Sequence, residues 1–277
     1  MSTRAPSCPH ATATVLERHP IAAYFAITFA ISWAAALAVA APGLIRGAGI
    51  SNKTGMVMFP AMLLGPLSSG ILMSWVTGGR EGTKDLFERI RRWRVGLRWY
   101  AVLLIPPATV RFVLFLLERL LSPSFAPNHF WIGIAFGVPA GICEEIGWTG
   151  FAFPKMRAQQ SALGAAVWLG ILWGVWHLPV ISFLGAATPH RQFWFLFFLG
   201  FTLAMAAMRV LIAWIYTNTE SVVLAQLMHI SSTGALVVFS PPVSPAQESM
   251  WYALYGCLLW LIVGAVFGAT GRQLRRA

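Results

Sequence analysis

Two adjacent carboxylates, Glu144 and Glu145, lie within an apolar stretch long enough to span a membrane. A charge at the bilayer centre costs roughly 2.5 to 3.5 kcal/mol on insertion scales, so such side chains face a protein interior or a wet cavity and act there. Two histidines join them in later apolar stretches: His177 in GVWHLP and His229 in QLMHISST, with Thr233 one helical turn beyond His229. Positions i and i+4 share a helix face, so His229 and Thr233 can point into one cavity. A carboxylate withdrawn from water becomes a stronger base and can take a proton from a water molecule, which an imidazole helps to position. A second imidazole and a hydroxyl can donate to the oxyanion that forms on a scissile carbonyl. This is the chemistry of peptide hydrolysis without a covalent intermediate. The same Glu144, His177 and His229 could instead ligate a divalent cation such as zinc.

The elements that must position these groups are membrane helices. Of 277 residues, 57% are hydrophobic and 10% charged, against about 25% charged in a soluble domain. Eight apolar stretches follow, at roughly 21–41, 56–77, 99–121, 130–153, 161–184, 193–215, 219–239 and 250–270, and most can cross ~30 Å of hydrocarbon. The first is too long for the core of a signal peptide and reads as a retained span. At ~1.5 Å per residue, Glu144, His177 and His229 sit about 15, 21 and 15 Å from the inner edge, so three different helices bring them to similar depths.

The net charge of +11 gathers at the ends of the spans, which excludes a nucleic-acid partner in favour of a membrane orientation. With the N-terminus inside, the inner segments hold fourteen Lys and Arg against three in the outer loops, so both termini are expected in the cytoplasm. Arg111, Arg119 and Arg209 fall within spans. Arg119 is near an end and can snorkel, Arg111 has no evident partner, and Arg209 either snorkels or pairs with an intramembrane acid. Residues 80–98, rich in Arg with Leu86, Phe87, Ile90, Trp93 and Val95 among the charges, read as a cytoplasmic amphipathic helix on anionic headgroups.

Other features read as structural. Cys8, Cys143 and Cys257 give neither a disulfide framework nor a thiolate metal site. Trp148, Phe151, Trp173 and Trp176 read as packing and interfacial anchors. Glu220 reads as an N-terminal charge favoured by the dipole of the seventh helix, and Pro179 as the end or kink of the helix carrying His177. There is no H-E-x-x-H, no G-x-S-x-G and no P-loop.

Taken together, EEIGWT (144–149) followed by GFAFPKM, WGVWH (173–177) and HISST (229–233) resemble the motifs of the CPBP family. These are the CAAX-protease and bacteriocin-processing intramembrane peptidases, also called type II CAAX prenyl endopeptidases or the ABI family, with motifs E-E-x-x-x-R, F-x-x-x-H and H-x-x-x-N/D. The resemblance covers about residues 130–235. It implies that Glu144 and His177 activate the water, that His229 and the residue at 233 stabilise the oxyanion, and that Glu145 is structural. Trp173 replaces the Phe of the second motif, Thr149 the Arg of the first, and Thr233 the Asn or Asp of the third. Glu145 then lacks its usual partner, and is either protonated or held by Arg209.

The expected architecture is an all-α, polytopic transmembrane bundle of about eight spans. Residues 1–20 and 271–277 form cytoplasmic tails, 21–270 the bundle, and 130–235 the catalytic core. The expected protein is a multi-pass protein of the bacterial inner membrane that hydrolyses membrane-associated proteins or peptides. One alternative is a catalytically weak relative that acts in binding or in bacteriocin self-protection. A second is a proton-coupled transporter using the two acids as a relay.

Overall fold

The computed structural model describes residues 14–47, 51–184 and 190–275, so the expected outermost tails, with Arg4 and Cys8, lie outside the described residues. Within them the chain is helical and contains no strand. The helices are α1 (Val15–Arg18), α2 (Pro20–Ile45), α3 (Asn52–Met62), α4 (Leu64–Ile90), α5 (Arg98–Val102), α6 (Ile105–Leu120) and α7 (Gly133–Gly147). A π-helical turn, Trp148–Ala152, leads into α8 (Phe153–Arg157), followed by α9 (Ala162–Trp176), α10 (Leu178–Leu184), α11 (Trp194–Thr219), α12 (Val222–Val238) and α13 (Pro245–Thr270). Five helical segments are long and apolar enough to cross a membrane: Pro20–Ile45, Lys53–Ile90, Arg98–Leu120, Arg191–Thr219 and Pro245–Gln273. The apolar helices Ala162–Trp176 and Val222–Val238 are shorter. The chain is thus an integral, multi-pass helical membrane protein.

The acids sit in the last turn of α7, where the helix is enclosed by its neighbours. Every residue from Glu144 to Phe153 is buried, so no stripe of this stretch faces lipid. Small residues make that enclosure possible, because apolar tails give helices no hydrophobic reason to associate and close backbone approach must do so instead. Gly133, Gly137 and Gly141 recur at every fourth position and press α7 antiparallel against α12. A methyl group at 137 would lie 2.9 Å from the Gly234 nitrogen, and one at 141 would lie 2.6 Å from the Gln226 carbonyl oxygen. On the opposite side, Gly70 of α4 meets the Gly147 Cα, and a methyl at 147 would overlap the Tyr24 hydroxyl and the Pro66 carbonyl oxygen. A backbone carbonyl in a packed helix cannot yield. Gly147→Ala is therefore expected to cost about 1–3 kcal/mol, read as a lowered unfolding midpoint in detergent; an unchanged midpoint would remove this packing account.

The basic segment expected as one helix over 80–98 is more articulated. Gly79, at φ 57 and ψ −144, breaks α4, and the chain then turns sharply enough to set Gly82 against the Ser74 carbonyl. The helix ends at Ile90, and residues 92–96 are irregular. Leu86 is fully buried and packs on Gly150 of the π turn. Arg89 donates to the Tyr216 hydroxyl at 2.8 Å, and Arg92 pairs with Glu220 at 2.9 Å. Phe87 and Trp93 remain exposed. One face of the segment is thus docked on the bundle.

That pairing corrects the reading of Glu220. It is the C-cap of α11, in the left-handed region at φ 51, and its N–H closes the helix onto the Tyr216 carbonyl. The N-cap of α12 is Ser221, whose hydroxyl accepts from the Leu224 N–H at 3.1 Å. Arg111 and Arg119 lie over the rings of Phe239 and Phe115, at 5.2 and 5.6 Å from the centroids. The partner missing for Arg111 is therefore an aromatic face.

Candidate active site

Adjacent residues on a helix point about 100° apart, so Glu144 and Glu145 address different neighbours, and each is fully buried. Glu145 faces α11 and α12. Arg209 grips it with two parallel bonds, Nη1 to Oε2 at 2.7 Å and Nη2 to Oε1 at 2.8 Å. His229 Nδ1 reaches Oε1 at 2.8 Å, and the Thr149 hydroxyl, one turn on, donates to Oε2. A carboxylate surrounded by four donors is saturated, and a bidentate guanidinium is the strongest of its possible anchors. Of the two choices open for Glu145, the geometry selects the pairing with Arg209, which is itself buried. Thr149 is not an empty replacement for an arginine: its hydroxyl bonds Glu145 and lies 3.4 Å from Arg209 Nη1.

Glu144 is held differently. Both hydrogen bonds it receives fall on Oε2, from the indole N–H of Trp148 at 3.0 Å and of Trp173 at 2.6 Å. Oε1 is buried and has no hydrogen-bond partner among the described residues. It faces His229 Nε2 at 3.9 Å, too long for a direct bond. Because Glu145 already accepts from Arg209 and is an acceptor only, the His229 Nδ1 contact requires a proton on Nδ1. That fixes the ring and turns Nε2 toward Glu144.

His177 stands at the junction of α9 and α10, where Pro179 falls in the first turn of the next helix. Its Nδ1 bonds the Trp173 carbonyl at 2.8 Å, which makes Nδ1 the donor and leaves Nε2 with the lone pair of the neutral ring. Its ring packs among Trp176, Phe201 and Trp173 at centroid distances of 4.8, 5.1 and 5.7 Å. No described hydrogen bond joins it to Glu144, so it meets the acids through Trp173. Thr233 lies on α12 one turn from His229, partly exposed, and bonds no other site residue among the described residues.

The structure therefore gathers Glu144, Glu145, Thr149, Trp173, Arg209 and His229 into one connected network, with His177 at its edge and Thr233 beside it. Of the aromatics expected as packing and interfacial anchors, Trp148, Phe151, Trp173 and Trp176 are all buried, as packing requires, and the indoles of Trp148 and Trp173 in addition hold a carboxylate. Part of this was available from spacing, since Trp148 and Thr149 each stand four residues after an acid. Trp173 as a donor across 29 residues had no local signal. For the alternative of a cation held by Glu144, His177 and His229, one Glu144 oxygen is already taken by two indoles, and among the described residues no three His, Cys, Asp or Glu side chains are grouped to hold an ion.

Two comparisons bear on this site. The family described as Rce1-like type II CAAX prenyl endopeptidase matches residues 126–235. A protein of Methanococcus maripaludis named CAAX prenyl protease 2 is 27% identical over 190 residues, covering 63% of this chain and 69% of the relative. Both glutamates, both histidines and Arg209 fall inside the matched segment.

Proposed function

We propose that the chain, which over residues 126–235 is similar to the Rce1-like type II CAAX prenyl endopeptidases, is an intramembrane endopeptidase of the CPBP family in which Glu144 is the general base. The observation that carries this reading is the buried, unpartnered Glu144 Oε1, 3.9 Å from His229 Nε2. One water can touch both atoms at that separation. Glu144 Oε1 takes a proton as the water oxygen attacks the scissile carbonyl, and the carbonyl electron pair moves onto oxygen. His229, anchored through Nδ1 to Glu145, donates from a protonated Nε2 to that oxyanion. Thr233 supplies a second donor from the next turn, and His177, whose Nε2 bonds nothing among the described residues, orients the water. The intermediate collapses with cleavage of the C–N bond, and Glu144 returns its proton to the leaving amine.

The substrates are peptide bonds of membrane-associated proteins, in a prokaryotic cell membrane, with the site open toward the cytoplasmic side. The relative's name refers to C-a-a-X substrates; for this chain, prenylated and unprenylated peptides are both candidates. The grip of Arg209 on Glu145 supports catalysis over a purely binding role, because it supplies the partner that the threonine at 149 seemed to remove.

The test is cleavage of a membrane-embedded peptide library, half of it prenylated, by purified protein in liposomes. Wild type is expected to cleave, and His229→Ala to lose about 100-fold or more in kcat, the scale of a missing oxyanion donor. A chelator arm reports whether a metal takes part. A folded wild type that cleaves nothing would sink the proposal.

A further inference from the structure

Glu144 is not merely buried; its carboxylate is oriented. We infer that Trp148 and Trp173 are positioning residues which fix Oε1 as the oxygen that takes the proton, an inference that rests on the peptidase reading above. A carboxylate in an apolar pocket has two equivalent oxygens and a soft terminal torsion. Here two donors from different helices converge on the same oxygen, at 3.0 and 2.6 Å, and leave the other bare. Trp148 is on the turn following Glu144, while Trp173 reaches across from α9, so the carboxylate plane is held from two directions.

Trp173 is itself held. The Arg209 guanidinium lies 4.4 Å from its ring centroid, and the His229 ring meets it edge-on at 4.9 Å. A cation over the indole face ties the donor of Glu144 to the group that grips Glu145. Through this one ring, the position of the base follows the position of the structural ion pair. Trp148 is fixed separately, by edge contacts to Tyr24 and Trp176 at centroid distances of 5.6 and 6.0 Å.

Burial alone would be a packing role, so the test must separate the N–H from the ring. Trp173→Phe removes both the N–H and part of the ring. Benzothienylalanine incorporated at 173 or 148 keeps the fused ring and replaces only the N–H by sulfur. The expected result for each ring-preserving variant is an unchanged unfolding midpoint, KM within about threefold, and kcat lower by about tenfold to a hundredfold, the scale of a misplaced catalytic group. The doubly replaced protein should lose more than the product of the single losses, because either donor alone still marks Oε2. Ring-preserving variants with wild-type kcat would overturn the inference.

A second readout needs no substrate. In protein labelled with ¹⁵N-tryptophan, the thirteen indole N–H signals include two, assigned from Trp148→Phe and Trp173→Phe, that should move on Glu144→Ala. Signals that stay in place would also overturn the clamp. A wild type that cleaves nothing fails the peptidase reading, and the indole signals then decide the clamp by themselves.

Discussion

Glu144→Gln is expected to lower kcat/KM by about a thousandfold or more, within the range assigned to a positioned general base and the charge it supports, and to leave the fold intact. The amide matches the carboxylate in shape. Its oxygen can accept from Trp148 and Trp173 as Oε2 now does, so the indoles keep a partner. What disappears is the oxygen that takes the proton. The same change one residue later has a different signature. Glu145→Gln leaves Arg209 as a buried cation facing an amide, so it should lower the unfolding midpoint as well as the activity. Kinetics beside thermal unfolding in the same detergent separate the two. Equal destabilisation by both changes would contradict the division of labour between the acids.

Arg209→Met should destabilise the protein by about 3 kcal/mol or more, the scale observed when one partner of a buried pair is removed. Glu145 would retain His229 and Thr149 but lose its compensating charge in a fully buried position. The informative variant is the double one, Arg209→Met with Glu145→Met. Replacing a whole buried pair by apolar side chains of similar volume is often neutral, so most of the lost stability should return. Activity should not return. His229 would have lost the carboxylate that holds its Nδ1 and turns Nε2 toward Glu144. Recovery of stability and cleavage together would show that the pair serves packing alone.

The outline of the molecule could be read from apolar stretches, because span length is set by bilayer thickness and each expected stretch is helical. The two acids and two histidines also stood out, since charge in such a sequence is rare enough to demand a partner. Arg209 could be narrowed to two fates but not assigned, because pairing across 64 residues depends on helix packing and not on local spacing. The same limit hid Trp173 and the ring over which Arg111 sits. Glu220 was misread for another reason. A charge between two helices can close one or open the next, and the left-handed conformation that decides this is a backbone property that its side chain does not announce. The π turn at Trp148–Ala152 had no signal at all: Gly147, Gly150 and Pro154 permit it, and close packing against Leu86 and Tyr24 accompanies it.

The enclosure of Glu144–Phe153 on every side has a consequence for biosynthesis. Glu145 leaves the ribosome 64 residues ahead of Arg209 and 84 ahead of His229, delays of about 3 to 13 s and about 4 to 17 s at roughly 5–20 residues per second. During that interval the segment has neither its cation nor its imidazole, and release into lipid would expose two naked carboxylates at roughly 2.5–3.5 kcal/mol each. It therefore has to wait in the insertion machinery, or sit only part-way across, until α11 and α12 arrive. The order of emergence makes α11 and α12 the helices that admit Glu144 and Glu145 to the membrane, so a chain truncated before Arg209 has no stable place to put its own active site.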